Sequence, residues 1–341
     1  VSGPDSKPRW GESLEAYGYL LPAFSILAVF WFLPVLLSLV MSFGDLTALQ
    51  PLGDMHFVGL RQYQKALGSD AFLQTLWNTI NYTIFSVPLT LVLSLAAALM
   101  LNQKLAGRGI FRTIFFLPHI TTWVAISLVF SYLFHREYGL GNWLLKVISV
   151  DLLGGDTAWQ LNWLAEPRGI FEMMLWQPLF GATVPPLPLG LDNLIAGPSL
   201  SLTCIIFTSV WRDLGYFMII FLAGLQNIDR SLYEAAAIDG ASPWHRFRAI
   251  TFPLLSPVTF FLLVISLIGA FKVFVPQYMM TPNGGPDRTT MPITMYLYQE
   301  GFTGEWKLSY AAAVAYLLTI IILALTWLQN RLFGSRVEYG H

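Results

Sequence analysis

Arg212 and Asp213 stand side by side near the middle of one long apolar stretch, and Lys272 stands in the outward-leading part of another. A charge inside an apolar run of membrane length is costly unless it is paired or hydrated, so by default such residues mark a path for something polar. Asp213, Tyr216 and Ile220 recur at spacings of three and four, with Phe217 beside them, and so share a helix face that can line a cavity. With Phe271, Lys272, Gln277 and Tyr278 of the next apolar stretch they form a candidate substrate pathway. The mix of types suits a carbohydrate, because aromatic faces stack on sugar C–H surfaces while carboxylates and amides bond hydroxyls. The same charges admit a plainer reading, an Arg212–Asp213 or Asp213–Lys272 ion pair that only fixes helix packing.

Other chemistries find no constellation. His119 and His135 are isolated from further ligand types and read as packing or hydrogen-bonding residues, so no metal is expected. No Ser-His-Asp or paired-carboxylate arrangement comes with a pocket of its own, and the chain reads as non-catalytic. Cys204 is the single cysteine, which excludes an internal disulfide and leaves a small buried hydrophobe. Asn283-Gly284-Gly285-Pro286 lacks the Lys-Ser/Thr ending of a phosphate loop and reads as a turn.

The most informative polar stretch runs from Ser231 to Pro253 and reads as two short helices with a corner between them. Ser231 and Glu234 have the S-x-x-E spacing of a capping box, which would start the first helix. Gly240 falls where a helix can end in the left-handed conformation, and Ser242-Pro243 supplies the cap and first residue of the second helix. Ala235, Ala236 and Ala237 leave a narrow face that another protein can approach closely. The second helix mixes Arg246 and Arg248 with Trp244 and Phe247, a face suited to a membrane boundary.

The elements that must hold these residues are membrane helices. Hydrophobic residues make up 55% of the chain and charged residues 11%, where soluble domains carry about a quarter charged. About six apolar stretches are each long enough to cross a bilayer: Leu20 to Phe43, Leu76 to Leu101, Ile114 to Phe134, Ser201 to Leu225, Leu254 to Met280 and Tyr310 to Leu328. Without the alternation of barrel strands they predict an all-α polytopic bundle. Pro34, Pro88 and Pro118 should kink these helices or mark their ends.

Lys and Arg set the expected orientation. Lys104, Arg108 and Arg112, then Arg230, Arg246 and Arg248, with Lys7, Arg9, Arg331 and Arg336 in the tails, place those segments and both termini in the cytoplasm. The opposite connections are longer, carry fewer bases and hold the acids Asp151, Asp156, Glu166, Glu172 and Asp192. The organisation predicted is a cytoplasmic tail over 1–19, a transmembrane domain over 20–334 and a cytoplasmic tail over 335–341. Within that domain lie an external insertion at 135–200 and the cytoplasmic corner at 226–253. The insertion is rich in Trp, Pro and Gly (Trp143, Trp159, Trp163, Trp176, Pro185, Pro186, Pro188) and reads as an ordered cap, either packed on the bundle or docking an outside partner. Its run from Ile170 to Leu191 carries Glu172 and the prolines and is expected to lie in plane rather than span. A net charge of −1 without a basic block gives no reason for a nucleic-acid partner.

Glu234-Ala235-Ala236, three residues, Gly240, nine residues, Ile250, one residue, Phe252 and Pro253 resemble the EAA loop of permease subunits in bacterial ATP-binding-cassette (ABC) importers. Phe252 departs from the usual leucine. Phe111 to Pro118, Trp211 to Tyr216 running to Ala223-Gly-Leu-Gln226, and Phe271 to Phe274 running to Asn283-Gly-Gly-Pro286 resemble the carbohydrate branch, the MalF-like permeases. The stretch from Phe171 to Pro198 departs from the commoner short form.

The resemblance implies a MetI-like, type I importer permease fold in the bacterial inner membrane. It implies that Glu234, Ala235, Ala236, Asp239, Gly240 and Ala241 contact an ATPase subunit. It further implies a MalG-like second permease, two ABC ATPases that bind ATP and magnesium, and an extracytoplasmic solute-binding protein, with no cofactor in this chain. The expected function is the membrane half of a sugar importer. An ion-coupled secondary sugar transporter and a membrane-embedded sugar-transferring enzyme are the alternatives. The first usually needs repeated halves and broken-helix ion sites, and the second convergent acids at a membrane edge; neither pattern appears.

Overall fold

The computed structural model describes residues 10–103, 106–152, 160–181, 195–304 and 306–333. Residues 1–9 and 334–341, with Lys7, Arg9 and Arg336, and also Lys104, Asp156, Trp159, Pro185, Pro186, Pro188 and Asp192, lie outside the described residues. Among the described residues every extended element is helical, and strand-type pairing is limited to the isolated bridges Gly44–Phe57 and Gly169–Ser199. The helices are α1 (Trp10–Leu27), α2 (Leu33–Ser42), α3 (Arg61–Leu67), α4 (Asp70–Asn102), α5 (Arg108–Ile120), α6 (Trp123–Leu133), α7 (Leu140–Lys146) and α8 (Gln177–Phe180). They continue as α9 (Leu200–Gln226), α10 (Arg230–Ile238), α11 (Pro243–Arg246), α12 (Phe252–Leu254), α13 (Ser256–Phe271), α14 (Val275–Met280), α15 (Ile293–Tyr298) and α16 (Leu308–Phe333). Helix begins at Trp10, so part of the segment expected as a tail over 1–19 is helical.

Among the described residues, four helices are long and apolar enough to span a membrane: Tyr17–Ser42, Asp70–Asn102, Leu200–Gln226 and Leu308–Leu332. The count rises to six when two bent pairs are each taken as one span. These pairs show where two of the expected spans bend. The stretch Ile114 to Phe134 is not one straight helix: Pro118 lies in the last turn of α5, Thr122 caps α6, and the two meet at 98°. The stretch Leu254 to Met280 also breaks, because Pro243–Leu254 joins α13 at 64° and α13 stops at Phe271, with α14 separate.

Contacts divide the chain into two compact units, Val1–Ala66 with Leu297–Leu317, and Leu67–Tyr296 with Leu318–His341. In the first, Tyr17–Ser42 is apolar and its most hydrophobic stretch is unburied, as a helix solvated by lipid is. Tyr316 donates to the Val35 carbonyl at 2.6 Å, and the Leu46 amide donates to Ser309 Oγ at 2.8 Å, tying the unit's two chain segments together.

The second unit is built on α4 and α9. α4 is 33 residues long, about 50 Å at ~1.5 Å per residue, and exceeds the ~30 Å hydrocarbon layer. Its buried hydroxyls at Thr75, Thr79, Thr83 and Thr90 each donate to a carbonyl one turn back, so none is left unpaired in an apolar setting. Ile205 and Met218 of α9 and Leu262 of α13 are fully buried in the core they share with Val87 and Leu91 of α4. Gly215 lets α9 meet α5 backbone to backbone, since a Cβ there would lie 1.8 Å from the Phe115 carbonyl oxygen.

At one end of α4, Gln74 Nε2 donates to the Asp287 carbonyl and Asn78 Nδ2 to those of Arg288 and Met291, which latches the glycine-rich turn. That turn holds Asn283, Gly284 and Gly285 at positive φ. In the insertion, Asn142 accepts from Trp163 Nε1 at 2.9 Å and from the Leu161 amide at 3.0 Å, and donates to the Arg136 and Leu161 carbonyls. Arg168 chelates Glu166 at 2.7 Å and holds its carboxyl below the usual range.

Candidate functional site

A cavity of about 360 Å³ opens within the second unit, walled by α4, the α5–α6 junction, α9 and the α13–α14 break. At its centre, Arg212 Nη1 bonds Asp213 Oδ1 at 2.6 Å, and His119 Nδ1 approaches the same oxygen at 3.3 Å. The His119 ring lies on Tyr216, with centroids 4.5 Å apart and planes at 9°. The Arg212 guanidinium lies over Trp123 at 4.1 Å and donates to the His119 carbonyl at 3.4 Å. The 98° break explains this last contact: it frees the carbonyls of the final α5 turn, and a guanidinium takes one of them.

Asp213, Tyr216 and Lys272 all line this cavity, as does Phe217. Phe271 and Gln277 do not: they are 3% and 0% exposed and packed inside. Tyr278 stacks on Phe274 at 5.2 Å, and it is Phe274 that faces the cavity. The physical reason is the helix end at Phe271. Phe274 takes φ −143° and ψ −57°, so a helical register carried on past Lys272 assigns the wrong faces.

The Arg212–Asp213 pair is present, whereas no ion pair joins Asp213 to Lys272 among the described residues. His119, expected to pack or hydrogen-bond rather than to hold a metal, bonds Asp213 and stacks on Tyr216. Sequence reasoning also missed Trp123, and it missed Tyr82, Ser86 and Ser209, which add hydroxyls to the wall. A proline just ahead of His119 at the edge of an apolar run was the one available signal.

The corner at 230–254 is a second site. Its first helix is capped by Asp229, whose carboxylate accepts from the Ser231 amide at 2.9 Å, in place of the expected Ser231–Glu234 box. The helix starts at Arg230, so Ser231 is already inside it, and a carboxylate also complements the helix dipole. That bond holds the Asp229 carboxyl below its ordinary range.

At the other end Gly240 takes φ +73°. The Ala241 amide donates to the Ala236 carbonyl at 2.9 Å and the Gly240 amide to that of Ala237 at 3.2 Å, the paired bonds of a Schellman closure. Ser242 caps α11 by accepting from the His245 amide at 3.2 Å. Tyr233 and Thr251 hydroxyls meet at 2.9 Å and fasten the two arms together. Glu234, Ala235, Asp239 and Gly240 are exposed, Ala236 and Ala241 half-buried, and Ile238, which the sequence did not single out, is 87% exposed at the tip.

Residues 65–338 match the family described as binding-protein-dependent transport system inner membrane component. The lactose transport system permease protein LacF of Rhizobium radiobacter is 32% identical over 91% of each chain. The sn-glycerol-3-phosphate transport system permease protein UgpA of Yersinia enterocolitica is 30% identical over 98% of this chain and 99% of its own. In fold, the chain resembles one from the crystal structure of a bacterial alginate ABC transporter in complex with an alginate pentasaccharide-bound periplasmic protein. That match has a TM-score of 0.73 at 20% identity and covers 97% of this chain and 98% of the other. The chain belongs to the family of binding-protein-dependent inner membrane transport components, as a multi-pass, non-catalytic permease subunit of an ABC importer.

Proposed function

We propose that this permease imports a sugar, and that the cavity around Asp213 and Tyr216 is its half of the cargo path. The observation that carries this reading is the pairing of flat rings with a charged edge: His119 stacked on Tyr216, and Trp123 under Arg212, all bordering the Asp213 carboxylate. Sugar rings present C–H faces to such rings and hydroxyls to such edges. A cavity of about 360 Å³ falls within the usual range for small ligands, roughly 300–1,000 Å³. The names of the lactose relative and of the alginate-transporting neighbour support a saccharide cargo.

In this reading a second permease completes the path, and an external binding protein delivers the sugar. Two ATPases, which bind ATP and magnesium, dock on Glu234, Ala235, Ala236, Asp239, Gly240 and Ala241. Both termini face the cytoplasm and the 135–200 insertion faces outward, as the Arg and Lys distribution favours. ATP binding favours the closed ATPase pair, and that differential affinity shifts the population between inward and outward access.

Uptake by the transporter reconstituted with its partner subunits tests the cargo site. We expect Tyr216→Ala to lower uptake about tenfold, the loss of roughly 1.4 kcal/mol of ring contact, with assembly retained. Unchanged transport kinetics would remove Tyr216 from the path. A panel of sugars and glycerol phosphates offered to the cognate binding protein checks the substrate class, and a preference for the phosphates overturns the sugar assignment.

A further inference from the structure

A wide groove lies behind the corner, between the end of α4 and the helix that begins at Pro243. Leu99 and Phe247 give it apolar lining, Tyr233 and Thr251 add hydroxyl-bearing side chains, and Trp244 and Arg246 complete it. Leu99 belongs to the last turn of one membrane helix, and Thr251 leads into another, so the groove lies at the ends of two spans. Trp244 is 68% exposed and stacks on Phe247 at 5.5 Å, as indoles do at that level.

The charge in the groove has nothing to answer it. Arg246 enters no ion pair among the described residues, and its Nε is buried without a hydrogen-bond partner. No carboxylate lines the groove. Arg248, two residues on, adds a second exposed cation. The acids of the corner, Glu234 and Asp239, are exposed on the other arm and do not line it. An unpaired guanidinium between an aromatic lip and an aliphatic wall matches a molecule with an anionic phosphate at one end and an acyl chain at the other.

We propose that this groove binds an anionic phospholipid of the bilayer, its phosphate on Arg246 and its upper acyl chain along Leu99 and Phe247. The site is separate from the cargo cavity, so it stands or falls independently of what the importer carries. Because the lipid would lie against both arms of the corner, its occupancy would couple the surrounding bilayer to the element proposed to meet the ATPase.

Quenching of tryptophan fluorescence by brominated lipids tests this on the full-length chain in detergent. The contribution of Trp244 is taken as the difference between wild type and Trp244→Phe. We expect brominated phosphatidylglycerol to quench that contribution at a mole fraction about fivefold lower than brominated phosphatidylcholine. Arg246→Gln should abolish the preference and Arg246→Lys retain most of it. Equal quenching by the two lipids in the wild type overturns the proposal without recourse to any arginine variant, so a folding defect in Arg246→Gln cannot shield it. It is also overturned if Arg246→Gln keeps the lipid preference but no longer co-purifies with the ATPases, which would make the groove a protein-docking surface.

Discussion

The centre of the cavity proposed for cargo is a charge pair held by ring contacts rather than by deep burial. Arg212 and Asp213 side chains are 14% and 28% exposed, so the pair is partly desolvated and each partner depends on the other. Removing Asp213 leaves a guanidinium that only Trp123 and the His119 carbonyl can serve. We expect Asp213→Ala to destabilise the folded permease by about 1–2 kcal/mol, read from thermal melting in detergent. The Arg212→Met, Asp213→Ala double variant should lose less than the sum of the two single changes. Additive losses would mean that the pair does not act as a unit. Asp213, Tyr216 and Lys272 were legible in the sequence because polar groups inside an apolar run need a reason to be there. His119 was not, because its partner lies 94 residues away and no local pattern records that meeting.

Among elements, the corner at 230–254 was the most readable, since capping and left-handed glycine are local chemistry. The detail that escaped was which acid caps α10, a choice set by where the preceding helix releases the chain. Asp229 gives a pH test with a definite sign. Its carboxyl is held below the ordinary value, so its contribution is full above about pH 3.9 and fades as pH falls through the lowered value. Amide exchange in the first turn of α10 should therefore speed up, beyond the intrinsic pH effect, only in that acid range. Asp229→Ala should exchange fast throughout and show no such step. The α13–α14 break was illegible for the opposite reason: hydropathy averages over about 20 residues and cannot see a turn of a few residues inside an apolar window. Pro118 announced the α5–α6 break, while the α13–α14 break is marked by Lys272 at the end of α13 and Pro276 in the first turn of α14.

Over the whole molecule, large apolar side chains cover much of the surface, including Phe30, Trp31, Val92, Ile114, Leu323 and Trp327, each more than half exposed. Such a surface is at home in lipid and accounts for the composition that first identified a membrane protein. The core of the second unit depends instead on one missing side chain. At Gly215 a methyl group would lie 1.8 Å from the Phe115 oxygen and 2.9 Å from the Phe116 nitrogen, both backbone atoms with no freedom to rotate away. We expect Gly215→Ala to cost about 1–3 kcal/mol and to lower uptake by moving Asp213 and Tyr216 with the displaced helix. Normal melting and normal uptake together would show that α5 yields easily at this point. That rigid crossing bears on how cargo leaves. α5 carries the cationic residues Arg108 and Arg112 at one end and His119 at the other, and the crossing at Gly215 ties it to the helix that bears Tyr216, so the imidazole and the tyrosine ring move as one piece. In the proposed cargo path, this wall then keeps its geometry while the bundle rocks.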